Sequence, residues 1–123
     1  MSTIGHPLSD LSNLFTPYIA PPHQSRAFSF SPDTLLGLPS KAQCMEWYAE
    51  IAGWNPAPEQ PWGDAFGMFR SSIIAQGIAA RYARRQASSA QAKSYGDART
   101  GLGEFAWQLI EKLKEGKEDK ARL

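Results

Sequence analysis

Apolar positions along this 123-residue chain recur at intervals of three and four rather than two. Leu8, Leu11, Leu14 and Phe15 make a short helical stripe. Pro7 before them suits a first helical turn, where a missing N–H costs nothing. Residues 16–39 hold prolines at 17, 21, 22, 32 and 39 and read as a connector with little regular structure. A second helix is expected over 41–52. Ser40 and Gln43 have the spacing of a capping box, in which each side chain satisfies the other's backbone N–H. Cys44, Met45, Tyr48, Ile51 and Ala52 fall on one face, and Gly53 is a natural stop.

After the Pro-punctuated link 54–61, a third helix is expected over 63–85. Phe66, Phe69, Ile73, Ile74, Ile78 and Tyr82 spread around a wide arc, which predicts a largely buried helix. Positions 63, 67, 71, 75, 79 and 83 are Gly, Gly, Ser, Ala, Ala and Ala. A row this small at four-residue spacing is a shallow groove that lets another helix approach closely. Residues 86–101 are small and polar and predict a break. Leu102, Phe105, Ala106, Leu109, Ile110 and Leu113 then mark a last amphipathic helix over 102–114. Charge dominates from Glu111 onward, so residues 1–115 are expected to form one helical domain and 116–123 a charged flexible tail. The fold class is all-α.

Composition changes this picture little: 42% apolar and 20% charged residues are ordinary globular values. The net charge of +1 gives no global drive toward nucleic acid or an anionic membrane. The halves differ, however. Residues 1–69 carry two basic and six acidic residues, and residues 70–123 eleven basic and six acidic. Either the second half presents a solvated basic face, or the asymmetry orients the chain on a partner of mixed charge. Cys44 is the sole cysteine, so neither an intramolecular disulfide nor a multi-cysteine metal site is possible. The first residues have no basic and apolar regions of a signal peptide. The apolar stretch 65–83 is interrupted by Arg70, Gln76, Arg81 and two serines. A cytoplasmic or organellar-matrix location without a membrane follows as the expectation.

The general phosphate-loop, metalloprotease, C-x-x-C and nucleophile-elbow patterns are absent. Gly101-Leu102-Gly103 lacks the third glycine and the preceding strand of a dinucleotide loop. His6 and His23 lie 17 residues apart in Pro-rich segments, where loop histidines are the simpler reading. Cys44 sits on the apolar stripe and reads as a small buried hydrophobe. Arg81, Arg84, Arg85 and Lys93 could meet phosphate, but only Tyr82 supplies an aromatic beside them, so nucleic-acid binding is not expected.

Three stretches together resemble one known family. Met1-Ser2-Thr3-Ile4-Gly5-His6-Pro7-Leu8-Ser9-Asp10-Leu11 is similar to the segment just after the metal-binding Asp of aminoglycoside-phosphotransferase-like (choline-kinase-like) domains. That segment typically reads Asp-Trp-Glu, a few residues, then Gly-Asp-Pro-Leu, one residue, Asp-Leu. Gly37-Leu38-Pro39-Ser40 leading to Tyr48-Ala49-Glu50 and Gly53 is the second stretch. Phe69-Arg70, Ile74, Gln76-Gly77-Ile78, Arg81-Tyr82 and Ala87-Ser88-Ser89-Ala90 are the third. The likeness covers about residues 1–113 and points to the subgroup associated with certain acyl-CoA dehydrogenases.

The resemblance implies the helical C-terminal sub-lobe of a protein-kinase-like phosphotransferase fold, without the N-lobe. The family's catalytic base comes from a His-Gly-Asp loop and its metal ligand from Asp-Trp-Glu, and neither motif is present. His6 also replaces the usual Asp of Gly-Asp-Pro-Leu. The resemblance therefore assigns no catalytic, cofactor-binding or metal residue to this chain. ATP and Mg²⁺ are implied only for a full-length domain. Asp10 matches the family's second Asp, whose role would be to hydrogen-bond the backbone of the catalytic loop; without that loop it could cap its own helix instead. Arg70, Gln76 and Arg81 match the subgroup as structural or substrate-side residues. The chain is expected to be a phosphotransferase fragment that supplies the acceptor-side helical scaffold and is inactive alone. The alternative is a stand-alone helical binding module derived from that family. Its expected partners are a second copy of itself or the missing N-terminal part of the domain.

Overall fold

The structure, a computed structural model, describes residues 4–20 and 37–122. All regular elements among them are helices, in the order α1 (Leu8–Ile19), α2 (Lys41–Ala52), α3 (Gln60–Ala83), α4 (Ala92–Asp97) and α5 (Arg99–Arg122). The greater part of the connector expected over 16–39, with His23, lies outside the described residues. The chain divides into two compact units, residues 1–64 and 65–123.

In the first unit, α1 runs four residues beyond its predicted stripe and takes Pro17 inside it. The Ser12 hydroxyl donates to the Leu8 carbonyl and Thr16 Oγ1 to the Ser12 carbonyl at 2.9 Å, which ties the two turns before the proline. The helix stops at Ala20, whose extended backbone (ψ 132°) is what a following proline demands. Helix α2 has the bounds its sequence predicts. Ser40 Oγ accepts from the Gln43 N–H at 3.1 Å, and Gly53 closes the helix in the left-handed region at φ 68°. No residue of α2 is buried, and Ile51 is 90% exposed. Its stripe is therefore not a core face, and Cys44 is only half-buried. The buried residues of this unit are Leu11, Ser12, Phe15, Ala20, Pro56, Gln60, Gly63 and Asp64.

Helix α3 begins three residues earlier than predicted. Pro61 falls in its first turn, where the link's prolines do no harm. In the second unit the expectation of a largely buried helix is overturned along its apolar arc. Phe66, Phe69, Ile73, Ile74 and Tyr82 are each about half exposed, whereas Gly67 and Ala75 of the small row are buried and Ser71 and Ala79 half-buried. The row faces a neighbour. A Cβ built on Gly96 of α4 would lie 2.9 Å from Cα and Cβ of Ala79, and one on Gly103 of α5 would lie 3.1 Å from Ser72 Oγ. Ser72 Oγ also donates to the Arg99 carbonyl at 2.8 Å. Small residues on both sides bring backbones together, and the bulky residues opposite the row are left outside.

Helix α3 ends in a Schellman turn. The Gln86 N–H donates to the Arg81 carbonyl at 2.8 Å and the Arg85 N–H to the Tyr82 carbonyl at 3.0 Å, with Arg85 at φ 58° where glycine is usual. The break predicted over 86–101 contains the short α4, and α5 continues through the segment expected to be a flexible tail. Glu111–Lys114 and Lys112–Glu115 at three-residue spacing and Lys114–Glu118 at four set opposite charges side by side, so strong helix formers and these pairs sustain the helix in water.

Candidate functional site

Both units hold features with chemical potential, beginning with the entry to α1. His6 lies just before α1, and its Nδ1 accepts from the Leu8 N–H at 3.2 Å. The imidazole thus supplies the acceptor that a carboxylate would have offered to the exposed N–H groups of the first turn. Its ring also meets Trp54 edge-on at 5.7 Å, and Trp54 meets Tyr48 at 6.3 Å. Asp10 is exposed in that first turn, where a negative charge suits the helix dipole; Pro7 holds the N-cap position without a side-chain bond, and His6 supplies its acceptor from one residue before it. We expect His6→Ala to cost about 1 kcal/mol of stability through the lost cap and ring contact. His6→Asp keeps the cap and should recover more than half of it, read by urea unfolding with Trp54 fluorescence as reporter.

The second feature is a buried polar tie that the sequence reading missed. Lys41 Nζ pairs with Asp64 Oδ2, and Gln60 Nε2 donates to Asp64 Oδ1 at 2.9 Å. The ammonium lies 5.6 Å from the centre of the Phe15 ring, which is fully buried. Gln60 is 1% exposed, and its Oε1 has no hydrogen-bond partner among the described residues. With one carboxylate oxygen held by an ammonium and the other by an amide, this is a structural lock rather than a general base. Its signal in the sequence was thin: Lys41 is the sole basic residue between Arg26 and Arg70. Above it, Tyr18 donates its hydroxyl to the Pro39 carbonyl at 3.0 Å. Burial pushes the Tyr18 phenol above its ordinary range, and the neighbouring Cys44 adds to the shift. A groove of about 480 Å³ runs along α2, lined by Ala42, Met45, Glu46, Ala49, Glu50 and Asn55.

In the second unit, Arg70, Gln76 and Arg81 all lie on α3 but do not form one cluster. Arg70 and Arg81 are eleven residues apart and share a face; Arg70 rests 5.9 Å from the Phe66 ring centre, and Arg81 is exposed. Gln76 turns away from them and lines a groove of about 400 Å³ with Ser72, Arg99, Thr100 and Glu104. A second groove, of about 520 Å³, lies at the end of α3 and is lined by Tyr82, Arg85 and Ser89 among others. Among the described residues no group of three or more His, Cys, Asp or Glu is placed to hold a metal ion, and no helix is long and apolar enough to cross a membrane.

No protein-family model matches the chain, and no solved structure matches it significantly. A curated mouse protein, acyl-CoA dehydrogenase family member 10 of Mus musculus, is 31% identical over 118 residues. That match takes in 94% of this chain but only 11% of the mouse protein, so the chain is similar to about a tenth of that relative's length.

Proposed function

We propose that the chain forms the acceptor-side helical part of an aminoglycoside-phosphotransferase-like domain and transfers no phosphoryl group by itself. The observation that carries this reading is the entry to α1. The segment Gly5-His6-Pro7-Leu8-Ser9-Asp10-Leu11 has the family's order, and the helix begins at Leu8 with a side-chain acceptor from the position where the family carries Asp. The likeness to acyl-CoA dehydrogenase family member 10 agrees with the subgroup those motifs resemble. In this reading Gln76, Ser72, Thr100, Arg99 and Glu104 present donors, acceptors and both signs of charge to one groove, a lining suited to a polar hydroxyl-bearing acceptor. Arg70 and Arg81 belong to a separate face, and Asp10 to the α1 entry. Transfer needs Mg²⁺ and phosphate held in place, because the protein's contribution is position and charge. Those groups would come from polypeptide bearing the His-Gly-Asp and Asp-Trp-Glu motifs.

Calorimetry with Mg-ATP tests this. The chain alone should show no saturable binding, and adding a polypeptide that carries both motifs should create it. Micromolar ATP binding by the chain alone would contradict the scaffold reading. The exposed apolar side chains on α2 and α3, among them Ile51, Phe66, Phe69 and Ile73, fit a part that lacks its packing partners.

A further inference from the structure

The uncovered faces of the two units are opposite in both charge and shape. From Ala42 to Phe69 there are four acidic residues and no basic one; from Ala65 to Gly96 there are five basic residues and no acidic one. The first of these stretches includes the α2 groove. Its floor is made by small or pliable side chains, Ala42, Met45 and Ala49, and exposed Glu46 and Glu50 stand one turn apart on its rim. The second stretch includes the outer face of α3, on which Phe66, Phe69 and Ile73 project, each more than half exposed. Exposed Arg81 and Arg84, again one turn apart, follow on the same side. One face is a shallow acidic groove, and the other is a ridge of bulky knobs with a basic end.

We propose that the occupant of each face is a second copy of this chain, the α3 ridge of one protomer seating in the α2 groove of its partner. Exchanged twice across a two-fold axis, the contact is self-complementary, as an isologous interface must be. Its size is adequate. Half-exposed aromatic and branched side chains on the ridge offer on the order of 400 Å², and two such contacts approach the roughly 800 Å² per partner of a specific interface. Methionine lining a groove lets it adapt to the rings that enter. A parallel ridge-to-ridge dimer would instead set Arg81 and Arg84 against their own copies, which like-charge repulsion opposes.

Two charge-reversed variants of the full chain, Glu46→Lys/Glu50→Lys and Arg81→Glu/Arg84→Glu, test this by sedimentation equilibrium. All four side chains are exposed, and circular dichroism checks that each variant keeps its helices. The wild-type chain should dimerise, less tightly as salt rises. Each variant alone should dimerise at least about tenfold more weakly, because every contact then opposes like charges. Mixing the two should restore the dimer, since one contact keeps its native signs and the other has both signs reversed. A monomeric wild type, a dimer indifferent to either variant, or a mixture that fails to recover would each overturn the proposal. So would a monomer whose arginine face binds phosphatidylserine-containing vesicles and loses them on Arg81→Glu/Arg84→Glu.

Discussion

Lys41→Met is expected to destabilise the first unit by about 3 kcal/mol, the low end of the cost of stranding one partner of a buried ion pair. The low end applies because the Lys41 side chain keeps 23% of its surface in water, whereas that of Asp64 keeps 11%. Methionine preserves an apolar stem near Phe15, so the loss isolates the charge rather than the packing. Among the described residues Asp64 then keeps the Gln60 amide, and Gln60 already carries one buried oxygen without a partner among them. Adding Asp64→Asn removes the stranded charge while leaving an oxygen for Gln60 Nε2. The double variant should regain more than half of the loss, a coupling on the order of 2 kcal/mol between touching residues. Urea unfolding followed through the tryptophans of this unit measures both. A double variant no more stable than Lys41→Met alone would show that the pair contributes through something other than its charge.

The sequence made the helices legible wherever the signal was local. Helix α2 is bounded by a side-chain cap at Ser40 and a left-handed glycine at 53, both written in adjacent residues, and both ends fall where expected. Helix α5 runs past its apolar stripe because opposite charges at helical spacing carry it through the charged stretch, a signal that apolar periodicity does not register. On α3 the small-residue row is the covered side, as its spacing predicts, and the apolar arc is not. The wide apolar arc and the small-residue row cannot both face the same neighbour. Burial value pointed to the arc, yet closeness of approach selected the row. The site features divide in the same way. The α1 entry was visible as a motif, although the hydrogen bond made by His6 was not. The Lys41–Asp64 pair, separated by 23 residues, left no periodic trace, and Gln76 parted from Arg70 and Arg81 only once the faces of the helix were known.

Gly96→Ala separates these two ways of reading a helix, because local propensity and packing predict opposite signs. Alanine in place of a helical glycine should stabilise by about 1 kcal/mol. At Gly96, however, the new Cβ would sit 2.9 Å from both Cα and Cβ of Ala79 and 3.1 Å from its nitrogen, and two of those three atoms are backbone. A backbone cannot swing aside as a flexible side chain can. Helix α3 is also tied on this side through Ser72, whose hydroxyl holds the Arg99 carbonyl and lies against Gly103. Overpacking of this kind costs roughly 1–3 kcal/mol, and the short distances place it in the upper part of that range. We therefore expect a net loss of about 2 kcal/mol for Gly96→Ala and a larger one for Gly96→Leu. Ala79→Gly should relieve the alanine variant only in part, because it removes the clash with Cβ and leaves the one with Cα. Gly77 supplies the control: it lies in the middle of α3 with nothing within 4 Å of its would-be Cβ, so Gly77→Ala should gain the full propensity term. Thermal melts of the two single variants should move in opposite directions from wild type. If both rise, α3 and α4 do not pack through their small residues, and the seam in the second unit is lost with them.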